Sequence, residues 1–255
     1  MTRRFNEFAR GLPVLCAVAL GALALTAATP ALGGDGPIYL RADVGYGASR
    51  DAKLEDADPG GRNPLYGAGN WVNGDVGRSV ALGAGIGVRV LPALRAEAAV
   101  HWLPGLEYTG VTRRSGAAVR ADADGLALMA NVYLDLDRLD GSHGDGPIHP
   151  WVSAGLGTAR THLGTVRTEA AGRTITAPGG TSWRFAWSLG FGAAVDLTDS
   201  LALDLGYRYL DMGKVRTDGG TAQMVSAAGT FTGPVDPVEA RLRTHLVTVG
   251  LRYSF

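Results

Sequence analysis

Residues 80–90 read VALGAGIGVRV. Val80, Leu82, Ala84, Ile86, Val88 and Val90 fall on one face of an extended chain, with Ala81, Gly83, Gly85, Gly87 and Arg89 on the other. Successive side chains of a strand point to opposite sides, so a period of two predicts a β-strand with one apolar face. The pattern recurs on both sides of this segment. Ile38, Leu40, Ala42, Val44 and Tyr46 alternate with Arg41 and Asp43, and Leu94, Ala96, Ala98, Val100 and Trp102 with Arg95, Glu97 and His101. Leu126 to Leu136 sets its leucines opposite Asn131, Tyr133 and Asp135. Val152, Ala154 and Leu156 form a weaker fifth segment, whose start Pro150 obscures. Trp183 to Val195 opposes Arg184, Ser188, Gly190, Gly192 and Asp196. Leu201 to Tyr209 opposes Asp204, Gly206 and Arg208, and Val247 to Phe255 opposes Thr248, Gly250, Arg252 and Ser254. Eight strands are expected.

Alternation alone also suits a soluble sandwich. Three features favour a barrel in a membrane. The connections run roughly thirty, three, over twenty and about a dozen residues, then about twenty-five, four and over thirty, as in outer-membrane barrels with short periplasmic turns. Tyr46, Trp102, Trp183, Tyr207, Tyr209, Tyr253 and Phe255 stand near strand ends on the apolar face, as interfacial girdles require. The opposite face carries charges and glycines, whereas a soluble ligand-binding barrel would line its interior with apolar groups. The fold expected is all-β: an eight-stranded antiparallel up-and-down transmembrane barrel.

Composition agrees with a single globular unit. The 255 residues are 46% apolar and 19% charged, with 24 basic and 24 acidic residues, which argues against a nucleic-acid partner. The 38 glycines are spread along the chain rather than clustered into a linker. The single cysteine, Cys16, excludes an intrachain disulfide framework and a cysteine-based zinc cluster.

Residues 1–33 read as an export signal. Arg3, Arg4 and Arg10 precede the apolar run Leu12–Ala28, and small residues offer cleavage after Ala28, Ala31 or Gly33. Cys16 follows Leu15 and lies inside the apolar run, so it is read as part of the discarded segment. Residues 34–255 would then form the barrel domain. Beyond the signal no apolar run is long enough for a transmembrane helix.

An eight-stranded barrel has an interior that side chains can fill. The inward set expected from this register is Arg41, Arg89, Arg95, Arg184, Arg208 and Arg252 against Asp43, Glu97, Asp135, Asp196 and Asp204. Near-matched charges favour a salt-bridged plug over a pore lined by one sign. Gly83, Gly85, Gly87, Gly155, Gly157, Gly190, Gly192, Gly206 and Gly250 share that face, where they leave room for the arginines and let the sheet curve. No helix pattern follows Gly83-x-Gly85-x-Gly87, so it is not read as a phosphate loop.

Asp204–Gly213 (DLGYRYLDMG) and Thr248–Phe255 (TVGLRYSF) resemble the last two strands of the opacity-type outer-membrane β-barrel family, the porin-family surface antigens. The resemblance implies assembly by the outer-membrane insertion machinery, which reads a terminal strand ending in an aromatic residue, here Phe255 with Tyr253 and Leu251. It also implies an adhesin-like role through extracellular loops, by analogy only.

The alternatives are a narrow channel for small solutes and, third, a lipid-modifying enzyme. The H-x-S spacing of lipid A deacylase barrels is absent at all five histidines, which are His101, His143, His149, His162 and His245. His101 and Glu97 share the inward face and form a candidate proton relay, although a satisfied interior hydrogen bond is the plainer reading. No cofactor or metal is expected. Candidate contacts sit in the long loops. They are Tyr66 and Trp71 in 48–78, and Arg113, Arg114 and Arg120 in 105–121, whose cations suit lipopolysaccharide phosphates. The partners expected are outer-membrane lipid and lipopolysaccharide, the insertion machinery, and a host or matrix receptor. Taken as connectors, these loops read as solvated and mobile.

Overall fold

The structure, a computed structural model, describes residues 38–49, 52–139 and 146–255. The export segment and His143 lie outside the described residues. Fourteen strands form one sheet: β1 (Ile38–Ser49), β2 (Ala52–Asp56), β3 (Val72–Asp75), β4 (Gly77–Leu91), β5 (Leu94–Thr112), β6 (Ala118–Asp135), β7 (Ile148–Leu163), β8 (Val166–Ala170), β9 (Arg173–Ala177), β10 (Gly180–Asp196), β11 (Leu201–Arg216), β12 (Gly220–Ser226), β13 (Gly229–Val235) and β14 (Val238–Ser254). A single 3₁₀ turn, Leu136–Arg138, follows β6.

Eight of these strands close a ring. In order they are β1, β4, β5, β6, β7, β10, β11 and β14, each antiparallel to the next, and β14 pairs back to β1 from Ala48↔His245 to Tyr39↔Ser254. All eight segments expected from alternation are ring strands. The register path Ala193, Leu205, Val249, Val44, Leu82, Trp102, Leu126, Arg160 returns to β10 at Trp183, ten residues from its start. That stagger and the strand number together fix a narrow barrel. The outward face is apolar, with Ile86, Leu156, Leu189 and Val247 all exposed. Pro150 sits near the start of β7, opposite Ala193 in the ladder to β10 and one residue before the ladder to β6 begins at Asp135↔Trp151, so a neighbouring strand pairs it on one side alone.

The ring strands run far past the expected boundaries. β5 and β6 have 19 and 18 residues and meet at a tight turn, so most of 105–121 is strand rather than loop. The sequence pattern breaks at Pro104-Gly105, where a bulge between Leu103 and Leu106 shifts the register and Gly105 takes φ +65°. An extra residue in one strand reverses which parity points inward. Leu103 at 0% and Leu106 at 1% exposure are therefore both interior. A second bulge lies between Asp211 and Lys214, with Gly213 at φ +76°.

Above the membrane ring the sheet continues as a second tier. β1 ends at Ser49 and β4 begins at Gly77; β2 and β3 take their place, pairing β14 to β2, β2 to β3 and β3 to β5. On the other side β6 pairs with β8, followed in order by β9, β12 and β13. The expectation of a polar interior therefore holds for the lower half alone. In the upper half Leu54, Val72, Val119, Val166, Leu210, Met212, Val238 and Leu246 are almost fully buried. At roughly 25 cal/mol per Å², such burial is a main source of stability for the tier.

The inward glycines serve closeness of packing, and their neighbours correct one expectation. A Cβ at Gly87 would strike the Tyr39 ring, at Gly206 the Trp151 ring (2.9 Å), and at Gly85 the Glu97 carboxyl (2.9 Å). They make room for rings and acids that hold the arginines more than for the arginines themselves. Gly87→Val is expected to destabilise the fold by about 1–3 kcal/mol through overpacking, whereas Gly233→Val, with open space around it, should be nearly neutral. Urea midpoints of the two refolded variants check this.

Candidate functional site

Two places concentrate chemistry: the lower interior and the outer tier. In the lower interior the hub is Glu97, whose side chain has no exposed surface. Its Oε1 accepts from Arg41 Nη2 (2.9 Å), Asn131 Nδ2 (3.2 Å) and the Tyr133 hydroxyl (3.1 Å), while Oε2 accepts from the Tyr39 hydroxyl (3.3 Å). Arg208, which meets no carboxylate among the described residues, donates to the Tyr133 hydroxyl at 2.8 Å. Arg95 grips Asp135 through Nε (3.0 Å) and Nη2 (2.7 Å), and Arg89 reaches the same carboxylate at 2.9 Å. Arg252 pairs with Asp204 at 3.1 Å, and Arg41 lies 3.5 Å from Asp43. The Arg95 guanidinium also sits over the Tyr133 ring, 4.8 Å from its centroid. Fork-shaped donors matched to carboxylates and ring faces are where arginine outperforms lysine.

Nine of the eleven residues expected inside belong to this network. Arg184 and Asp196 do not. Arg184 is exposed and donates to the carbonyl of Trp183, at the level where the β10–β11 ladder has already ended at Trp187↔Asp211. Asp196 is half-exposed at the short-turn rim of the barrel, bonded to His149 Nε2 at 2.7 Å, and His149 Nδ1 meets Asp137 at 2.5 Å. Alternation alone had missed Tyr39, which stands on the inward face next to the first interior arginine.

The proton-relay arrangement is not assembled. Glu97 is occupied by four other donors, and the Nε2 of His101, buried at 2% exposure, has no hydrogen-bond partner. Among the described residues no group of three or more His, Cys, Asp or Glu side chains is disposed to hold a metal ion. Above the network, a small apolar cavity of about 20 Å³ lies between Leu54, Val76, Tyr108 and Leu163.

In the outer tier the expected loop is a folded segment. The Asp56 carboxylate, 3% exposed, accepts backbone N–H bonds from Leu65 (2.9 Å), Tyr66 (3.0 Å) and Gly67 (2.7 Å). Asp236 accepts from the amide of Asn63 at 2.8 Å and so ties this segment to the last connection. Tyr66 packs against the tier core, and burial pushes its phenol up to about 12. It is an anchor rather than a free contact. Trp71 and Arg113, from different loops, come together: the Arg113 guanidinium is 4.4 Å and the Lys53 ammonium 4.3 Å from the indole centroid. The amide of Arg114 donates to Asn70 Oδ1 at 3.2 Å, while Arg120 stands on β6 opposite Arg167, away from that cluster. The β12–β13 hairpin escaped notice in the sequence. It leaves Val225 (47%) and Phe231 (52%) exposed, and a short alternating run around the Ser226–Gly229 turn is the signal that marks it.

Residues 15–255 match the family described as outer membrane protein beta-barrel domain. Uncharacterized proteins of Brucella abortus and Brucella suis are 38% identical over 141 residues, which cover 50% of this chain and 46% of theirs, so the match spans about half the length of those relatives. Among solved structures, Neisserial surface protein A aligns at 17% identity and TM-score 0.45 over 86% of this chain and 97% of its own. The outer membrane protein OprG from Pseudomonas aeruginosa aligns at 14% and 0.49 over 88% and 99%. The chain belongs to the outer membrane β-barrel domain family, a family of the Gram-negative outer membrane.

Proposed function

We propose that this protein is a closed, non-catalytic barrel that presents its extracellular β-tier to a binding partner at the cell surface, in the manner of an adhesin. The observation that carries the reading is the tier's own apolar core. Segments that merely connect strands have no need to bury Leu54, Val72, Val119 and Val166. A scaffold of this kind holds its rim residues in fixed positions, which is how rigid folds make loops into binding surfaces. The rim offers Trp71 with its two flanking cations and the hairpin with Val225 and Phe231; aromatic and apolar groups of this kind anchor protein contacts. A host or matrix receptor is the class of partner that fits.

The double variant Val225→Asp/Phe231→Asp is expected to reduce attachment of expressing cells to epithelial cells or immobilised matrix proteins, with surface display unchanged. Attachment at the wild-type level would count against the hairpin as the contact.

Glu97, Arg41, Tyr133 and Arg208 span the lower interior, and the apolar layer lies above them. Purified protein in planar bilayers is therefore expected to give no stable open level. A reproducible single-channel conductance would favour the narrow channel instead.

The chain end fits an assembly signal for the outer-membrane insertion machinery. The amide of Phe255 donates to the carbonyl of Ile38 at 3.0 Å, and its ring meets Tyr253 edge-on with centroids 5.2 Å apart, next to Leu251 on the same strand. Deleting Phe255 should lower the yield of the heat-modifiable folded form in outer-membrane fractions several-fold, as read on unheated gels.

A further inference from the structure

The outward face of the barrel changes character just beyond the outer aromatic girdle, and it does so differently on its two sides. On β11 and β14 the girdle is a connected shelf. Trp187 meets Tyr209 at 5.2 Å between ring centroids, Tyr209 meets His245 at 5.2 Å, and the Tyr207 hydroxyl lies 2.5 Å from His245 Nδ1. The next outward positions along β14 are Arg243 and Arg241, and along β11, past the bulge, Lys214 and Arg216; all four are exposed. On the opposite side, β5 and β6 carry Glu107 directly across from Asp122, with Asp124 two residues nearer the membrane. Like charges in a cross-strand pair are unfavourable, yet this side carries three carboxylates at the height where the other carries its cations.

The basic side is built rather than scattered. The Asp211 side chain, 2% exposed, receives Arg241 Nη2 at 2.8 Å and Nε at 3.0 Å, and lies 3.5 Å from Arg243 Nε. One buried carboxylate thus fixes two guanidinium groups whose side chains remain 47% exposed, leaving most of their donors turned outward. Lys214 is held by Glu239 at 2.5 Å. Four cations stand against two carboxylates, immediately above rings suited to the interface between hydrocarbon and headgroups.

We infer that this face of β11 and β14 binds the phosphorylated glycolipid of the outer leaflet, with Arg241, Arg243, Lys214 and Arg216 taking a lipid A phosphate and the Trp187–Tyr209–His245 shelf carrying the acyl chains below it. Arginine forks match phosphate oxygens in pairs. The position dictates the occupant: side chains that face outward at this height meet the headgroup layer of the outer leaflet before any soluble ligand. The site differs from the tier surface proposed above for a receptor, so either can fail without the other.

The experiment titrates bis-phosphorylated lipid A into the full folded chain in zwitterionic detergent micelles and reads tryptophan emission together with the temperature at which the folded gel band disappears. Dephosphorylated lipid A and phosphatidylglycerol are the parallel probes. Lys214→Gln/Arg216→Gln leaves the buried carboxylate untouched; Arg241→Gln/Arg243→Gln is made together with Asp211→Asn so that no bare buried charge is created. Each set is expected to weaken lipid A binding about tenfold, while Arg167→Gln/Arg173→Gln, an equal loss of exposed charge in the tier, leaves it unchanged. Equal response of wild type and both sets overturns the site. So does an equal response of wild type to phosphatidylglycerol, which would reduce the patch to a general anionic-lipid surface. Wild type that responds to lipid A with and without phosphate alike overturns it too.

Discussion

Hydrocarbon offers no hydrogen-bond partner, so each backbone amide and carbonyl of a membrane-crossing strand must find one inside the protein. The pairing of β1 with β14 meets that demand, because it leaves the ring without an edge. The rest follows from the closure. Eight strands staggered by ten residues leave a lumen that a few side chains fill. Tyr39 and Trp151 reach into it only because the residues facing them are glycine. The glycines on the inward face are therefore a property of the lumen wall, where an added side chain would collide with a neighbouring side chain or backbone.

Filling a lumen with charges is costly unless each is paired, since desolvation of a buried ion amounts to several kcal/mol. The arrangement around Glu97 meets this with four donors to one carboxylate, and Asp135 with two arginines. Such networks contribute little net stability compared with apolar packing, but they reward one register. A slip of a single residue would turn Arg95 and Glu97 toward lipid and Ala96 and Ala98 inward. In the upper half leucine and valine fill the lumen and tier instead, and the buried carboxylates there, Asp56 and Asp211, are matched by backbone amides and by Arg241.

Much of this was legible from alternation, because a strand with lipid on one side and a packed lumen on the other has a strict period of two. All eight ring strands and nine of the interior charges followed from it. What escaped has a common physical cause. At Pro104-Gly105 and again near Gly213 a bulge reverses the parity, so a reader who follows one face loses the strand where it continues. β2, β3, β8 and β9 have 4 or 5 residues each, too short for periodicity to be read. Their place is set by contacts between distant segments, as when Asp236 holds the amide of Asn63. Parity alone puts Arg184 inside; the end of the β10–β11 ladder at Trp187↔Asp211, which decides its exposure, leaves no local mark in the sequence.

The tier has one more consequence, for survival outside the cell. A protease needs to draw an extended, unpaired stretch of backbone into its cleft, and such stretches are usually found at loop tips. Here nearly every described residue above the membrane is engaged in a ladder, and even the segment from 57 to 71 is pinned by Asp56 and Asp236. Among the described residues of the tier, the stretches outside the ladders are short, such as the bends at 113–117, 171–172 and 227–228. A surface built in this way can remain intact among secreted proteases that would strip the same residues from a barrel with open loops.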